Sequence, residues 1–283
     1  MDLNRLVTNW QERRCLYWWE PKGGEPNVGD YLARVLVAAI LRLADREIVD
    51  KRSKRTRLFS IGSVLHFARD GETVWGTGVN GKIAAEAHRF RALDVRAVRG
   101  PLTRAFLLKH GIDCPAVFGD PALLAPQFFP AALVAERTAR TDFLVVPHLN
   151  DPPEPYLRYG DRLCSPRQFP AAFIRRLLHG RRIVAASLHG VILAEAYGIP
   201  AVLLDAGGTE ARFKYDDYYA GSGRAHYPVA RSIEEALAIE PVGLPDVDAI
   251  ATRLLRAFPF DLWDANPPSE DVRERVGNET ARA

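Results

Sequence analysis

Apolar and polar residues alternate along this chain in two rhythms. Short apolar runs at Leu58–Ile61, Thr73–Gly76, Val95–Val98, Ala116–Phe118, Phe143–Pro147, Arg182–Ala186 and Ala201–Asp205 have the length of buried strands. Between them lie amphipathic stretches with apolar residues three and four apart, the spacing of one helix face. These predict helices over YLARVLVAAILRLA after Asn27-Val28-Gly29-Asp30, then over 102–110, 171–178, 191–197, 233–239 and 246–258. Pro101 suits the first turn of its helix, where a missing N–H costs nothing. Strands alternating with helices predict an α/β protein with parallel sheets covered by helices. The alternation pauses at 126–141 (PQFFPAALVAERTART) and then resumes. We therefore expect two Rossmann-like halves, 1–130 and 131–245, with a cleft between them. A C-terminal helix in 246–266 is expected to pack back on the fold, and 267–283 forms a polar tail.

The most informative stretch is RRIVAASLHGVILAEAYGIPAVLLD, residues 181–205. It reads as strand, Ser187-Leu188-His189-Gly190, helix, Gly-Ile-Pro turn, strand. His189 falls where a strand ends and a helix begins, the edge at which open α/β sheets bind ligands. Helix N–H groups there can receive an anion, and an imidazole beside it can supply a proton. The bland alternative is a buried core histidine. Of the other histidines only His148, near a strand end in the second half, has a comparable position.

Composition narrows the classes. The hydrophobic fraction is 47% and the charged fraction 26%, ordinary for a protein with a real core. A net charge of +3 is too small to imply nucleic acid. Three scattered cysteines without a CxxC pair argue against metal ribbons and disulfide frameworks and fit a reducing compartment. The opening residues lack a charged-then-apolar leader, and the longest apolar run, Val35–Leu41, is far shorter than a membrane span. A cytoplasmic protein is expected, with peripheral contact at the inner face of the plasma membrane left open. The basic run Lys51–Arg57 reads first as a solvated face. On an anionic membrane each charge would contribute about 1 kcal/mol. It lacks the interleaved aromatics of a nucleic-acid platform.

Other constellations carry two readings each. GTGVNGK places Gly76, Gly78, Gly81 and Lys82 in both a dinucleotide and a P-loop spacing. Ile83 stands where a P-loop needs Ser or Thr, and no acidic residue ends the next strand. A glycine turn approached closely by other atoms is the better reading. Asn27 or Asp30 either caps the first helix or, with Gly29, faces an anionic or sugar ligand. Arg99, in VRAVRGPLTR, either clamps a phosphate or carboxylate or pairs with Asp120 or another carboxylate. Asp120, in GDP, reads as a structural residue holding the Arg99 loop. FKYDDYY, Phe213–Tyr219, suits either sugar stacking or an aromatic surface turn.

Together NVGDYL, SIGSVL, VWGTGVNGK, VRAVRGPLTR, VFGDPALL, SLHGVILAEAYGIPAVLL and FKYDDYY resemble the polysaccharide pyruvyl transferase family, over about residues 27–220. The resemblance implies a GT-B-like fold, phosphoenolpyruvate as donor, a sugar acceptor carried on a lipid-linked oligosaccharide, and a cyclic ketal product. It implies no cofactor and no metal. His189 matches the family's histidine and is expected to act as general acid, with Asp30 or Asp217 as base. The donor site is expected to gather Arg99, Ser187, Gly190, Lys82, Gly29 and Asn27, and the acceptor site Lys214, Asp217 and Tyr218. Some family members carry arginine where this chain has Ser187, so Lys82, Arg104 or Lys214 must supply that charge. Two further classes stay open: a GT-B-type glycosyltransferase using a nucleotide sugar, and a non-catalytic sugar-binding subunit of a polysaccharide assembly complex.

Overall fold

The computed structural model describes residues 12–20, 26–49, 56–135, 140–205, 207 and 211–268. Most of the basic run and most of the polar tail lie outside them. Two four-stranded sheets form, each wholly parallel.

The first sheet has β1 (Leu16–Tyr17), β2 (Leu58–Phe59), β3 (Thr73–Trp75) and β4 (Asp94–Ala97) side by side in chain order. A parallel bridge from Val98 to Phe118 extends its far edge. Between β1 and β2 runs α1 (Val28–Arg42), which buries Leu32, Leu36, Val37 and Ile40 completely. Each such side chain contributes about 1.5–3 kcal/mol by leaving water. After β4 comes α2 (Pro101–Lys109). The second sheet orders β5 (Leu144–Val146), β6 (Ile183–Ala185), β7 (Ala201–Leu204) and β8 (Val229–Ala230) in the same way. Its helices are α3 (Pro170–Leu177), α4 (Leu188–Ala196), α5 (Phe213–Gly221) and α6 (Ile233–Ala238). Strands buried on both faces carry apolar runs without alternation, as β6 and β7 do.

One hydrophobic core joins the halves, running from Leu36 and Trp75 through Leu124 to Val191 and Leu193. The last helix, α7 (Val247–Arg256), closes this core against the first half. Its Leu254 carbonyl accepts from Trp75 Nε1 at 2.8 Å, and Ile250 and Leu254 press on Gly119. Gly119 has φ +150°, and a Cβ there would meet Ile250 at 2.6 Å. All three cysteines are free and buried, and burial pushes the Cys114 and Cys164 thiols up to about 11 and about 12. Such thiols are inert.

The structure decides two local readings. FKYDDYY forms the buried helix α5, not a surface turn. GTGVNGK is a glycine turn with no helix behind it, only a single 3-10 turn at Ala85–Ala87. That removes the helix N-terminus that both nucleotide motifs need.

Candidate functional site

The carboxyl ends of the first sheet and the first turn of α4 converge on three titratable residues. Asp30 sits in the first turn of α1. Asp120 follows the bridge at Phe118, and its Oδ1 accepts from Ala122 N at 3.0 Å to start the turn Pro121–Leu124. His189 lies in the first turn of α4, capped by Ser187 through Gly190 N at 3.4 Å. The helix starts at Leu188, earlier than its apolar pattern predicts, because this Ser187 cap recruits Leu188 and His189 into its first turn.

His189 approaches Asp120 directly, and Asp30 lies near enough to feel its charge. His189 Nε2 is 3.8 Å from Asp120 Oδ2. Both atoms are buried, and neither has a hydrogen-bond partner among the described residues. On its other side the His189 ring lies against the bare Cα of Gly29, where a Cβ would stand 2.1 Å from Nδ1. Burial raises the Asp30 carboxyl to about 6, while a hydrogen bond from Asn27 and the nearby His189 pull it back down. An imidazole close to two buried carboxylates is a candidate proton-handling centre.

Asn27 therefore does not cap α1. Its Nδ2 donates to Asp30 Oδ2, and the helix has no side-chain cap. Gly29 belongs to the centre through His189. Ser187 is present at its edge, with Oγ serving as the cap acceptor. Gly190 does not face a ligand. It is buried against β5 and β6, where a Cβ would meet Val146 at 2.8 Å.

Arg99 points into the protein. It is fully buried, and three of its nitrogens are engaged. Nε meets Asp217 Oδ2 at 3.1 Å, Nη1 donates to Ser63 Oγ at 2.6 Å and Nη2 to the Val79 carbonyl at 2.8 Å. Its guanidinium lies over Gly78, which leaves no room there for a Cβ. Asp217 is equally committed. Its Oδ1 accepts from the Leu102 and Thr103 N–H groups at 2.9 Å each, capping α2 from a different helix. The carboxylate-pair reading of Arg99 holds, with Asp217 as partner instead of Asp120. Asp120 faces His189, not the Arg99 loop.

Tyr218 is buried as well, with its hydroxyl on Glu195 Oε2 at 2.6 Å. Arg224 clamps the same carboxylate at 2.6 and 2.7 Å. Lys214 is buried with Nζ 3.3 Å from His148 Nε2. Lys82 is exposed and follows Gly81, whose α-carbon abuts Phe213. Arg104 donates to the Cys114 carbonyl at 2.9 Å.

Sequence reasoning missed the Asp120–His189 approach. The signal was present, since the GDP and SLHG segments both end strands. It also missed the partners of Arg99 and Glu195, which lie 118 and 29 residues away. Among the described residues no cluster of three or more His, Cys, Asp or Glu is arranged to hold a metal, and no helix is long and apolar enough to cross a membrane.

Fold and site define an α/β protein of two parallel sheets with a buried acid–imidazole centre where its halves meet. The sequence is more specific. A family model, polysaccharide pyruvyl transferase, matches residues 27–207, and the chain belongs to that family. It is also similar to the succinoglycan biosynthesis protein ExoV of Rhizobium meliloti (strain 1021), with 28% identity over 224 residues. That match covers 75% of this chain and 66%, just under two thirds, of the relative.

Proposed function

We propose that this chain transfers pyruvate from phosphoenolpyruvate to a sugar of an exopolysaccharide repeat unit, giving a cyclic ketal and phosphate. The observation that carries the reading is His189 3.8 Å from buried Asp120 and near buried Asp30, within the span matched by the family. In this reading His189 protonates the methylene carbon of the donor. One sugar hydroxyl then bonds to the former enol carbon and loses its proton, with Asp30 as base. A second hydroxyl of the same sugar displaces phosphate, which departs with the second hydroxyl proton. The methylene has become a methyl, and no metal or redox cofactor enters these steps.

The donor's carboxylate and phosphate need cations and N–H donors. Arg99 is withdrawn from that role, which leaves Lys214 and Lys82, with Ser187 as a hydrogen-bond donor. Gly29 provides the space beside the imidazole. The two halves, 1–130 and 131–245, act as Rossmann-like domains in a GT-B-like arrangement, with 246–266 packed back and the reaction in the cleft. The acceptor is lipid-linked, so the protein works in the cytoplasm against the inner face of the membrane.

The test is phosphate release from phosphoenolpyruvate in the presence of the lipid-linked oligosaccharide fraction, with the product's new methyl group followed by NMR. Release that needs both substrates and falls by about 10²–10⁴-fold in His189→Ala supports the reading. Silence with phosphoenolpyruvate but turnover of a nucleotide sugar would move the chain to the glycosyltransferases. Full polysaccharide output from a strain carrying only His189→Ala would mark a non-catalytic subunit.

A further inference from the structure

A pocket of about 350 Å³ opens at the carboxyl ends of the second sheet. None of Asp30, Asp120 and His189 lines it. Every strand of the sheet reaches it: His148 follows β5, Ala186 follows β6, Leu204 ends β7 and Arg231 follows β8. This is the edge at which parallel α/β sheets take ligands. The volume lies in the range of sites for organic molecules, well above that of a bare anion.

Its walls are of two kinds. Leu203, Leu204, Ile233, Pro152 and Pro155 give it apolar surface. Three arginines, Arg158, Arg212 and Arg231, give it positive charge, set against Asp151 and Asp205. The commitments of these groups differ. Asp151 Oδ2 already accepts from the His148 N–H at 2.9 Å and the Tyr156 hydroxyl at 2.7 Å. Arg158 donates to Glu234 and Tyr159. Arg212 lies 3.8 Å from Asp216 and 3.3 Å from the Tyr227 hydroxyl, with its guanidinium over the Tyr227 ring and the Asp205 charge nearby. The Arg231 guanidinium has no partner among the described residues, for only its backbone N–H is used, by Glu235. An apolar cavity with one unpartnered guanidinium, Arg231, and a second, Arg212, held by weaker contacts at its wall suits a ligand with an apolar body and adjacent anionic groups. Guanidiniums bind phosphate oxygens in forked pairs.

We propose that this pocket binds a diphosphate ester, the group through which the acceptor sugar is carried. Arg212 and Arg231 hold the diphosphate, and the apolar wall holds the carrier. The proposal rests on the pyruvyl transfer reading above and adds a separate anchoring site to it. The connection to the chemistry is short. Ala186 is a wall of the pocket, fixed by the Tyr215 hydroxyl donating to its carbonyl at 2.6 Å. Ser187 follows it, and His189 lies on the next turn of chain. A sugar extending from a diphosphate here is therefore led toward the β6–α4 junction, where His189 stands. The ester's body can be a polyprenyl chain or a nucleoside, since both are less polar than the diphosphate they carry.

The test is calorimetric titration of the full chain with farnesyl diphosphate, uridine diphosphate, inorganic diphosphate and phosphoenolpyruvate, on wild type, Arg231→Ala and Arg212→Ala. Arg231 is exposed, so its variant is expected to fold normally, as circular dichroism checks. We expect one or both esters to bind more tightly than inorganic diphosphate. Arg231→Ala should weaken the ester by about tenfold or more, the loss of a charge-assisted contact, with phosphoenolpyruvate affinity unchanged. Farnesyl diphosphate alone identifies a lipid carrier, and uridine diphosphate alone a nucleotide carrier. Absence of ester binding to wild type overturns the proposal, as does ester binding indifferent to both arginines. Loss of phosphoenolpyruvate binding in Arg231→Ala also overturns it, by making the pocket the donor site. Ester binding through Arg231 in a protein that neither binds nor turns over phosphoenolpyruvate sinks the pyruvyl reading instead.

Discussion

Arg99 and Asp217 meet across the two halves of the chain, Nε to Oδ2 at 3.1 Å, with neither side chain exposed. Backbone packs closely around the pair. A Cβ on Gly100 would fall 1.8 Å from the Asp217 carbonyl, and one on Gly221 would fall 2.3 Å from the Arg99 carbonyl. Asp217 also satisfies two N–H groups of α2, whose own N-cap is Gly100 and has no side chain to offer. The pair therefore couples an ion pair, a helix cap and the docking of α5 on α2.

From this follows a stability prediction. Removing one member of a buried pair strands the other's charge and costs about 3–5 kcal/mol. Arg99→Ala should fall in that range by urea unfolding. Asp217→Ala should be worse, because the Leu102 and Thr103 N–H groups also lose their acceptor. Arg99→Ala protein that still folds should bind phosphoenolpyruvate as wild type does. A large affinity loss in folded Arg99→Ala, with unfolding free energy near wild type, would return Arg99 to the donor site.

Strands and helices were legible because their apolar spacing is a local property. β6, α4 and β7 lie within a few residues of the positions their pattern predicts. His189 was legible for the same reason, since a strand–helix boundary is written in adjacent residues. The partners were not. Which carboxylate meets Arg99, and whether Tyr218 faces solvent or Glu195, depend on how α5 docks, a contact between segments over 100 residues apart. Charged and aromatic residues in FKYDDYY therefore resembled a binding surface when they form an internal lock. The polar side of a buried helix and a ligand-facing loop have the same composition.

Asp120 and His189 should behave as one unit. With Nε2 3.8 Å from a buried, otherwise unpartnered Oδ2, the carboxylate is placed to orient the ring. Asp120→Asn keeps the Ala122 cap through its remaining carbonyl oxygen but removes the charge. We expect kcat to fall by about 10–10²-fold, less than for His189→Ala. The double variant should be no slower than His189→Ala alone, since residues acting together are non-additive. Additive losses in that cycle would mean that Asp120 serves only the turn it caps.

Gly29 is required for space. Alanine at the first turn of a helix is normally favourable, by up to about 1 kcal/mol over glycine. Here its methyl would overlap the His189 ring, with Nδ1 2.1 Å from the new Cβ. Gly29→Ala should therefore change the melting temperature little, yet lower kcat by about 10²-fold by displacing the imidazole. Crystallography or histidine NMR of the variant would show the moved ring. Wild-type turnover in a folded Gly29→Ala protein would remove His189 from the chemistry.

Asp30 gives the site a pH signature. Its carboxyl is raised from the ordinary 3.8 to about 6 by burial, so the folded protein resists its ionisation more than the unfolded chain does. The sign follows from linkage. Stability is fully present below the unfolded value and declines as pH rises through the folded one. The shift corresponds to about 3 kcal/mol of stability lost between roughly pH 4 and pH 6. Asp30→Asn stays neutral throughout and keeps an acceptor for Asn27. Its unfolding free energy should match wild type near pH 4 and exceed it by up to that amount at pH 7. Its kcat/KM should lose the limb near pH 6 that an ionising base imposes, along with most of its magnitude. Parallel stability–pH curves for the two proteins would show that Asp30 ionises as freely as an exposed carboxylate, and the burial argument for its role as base would fail with them.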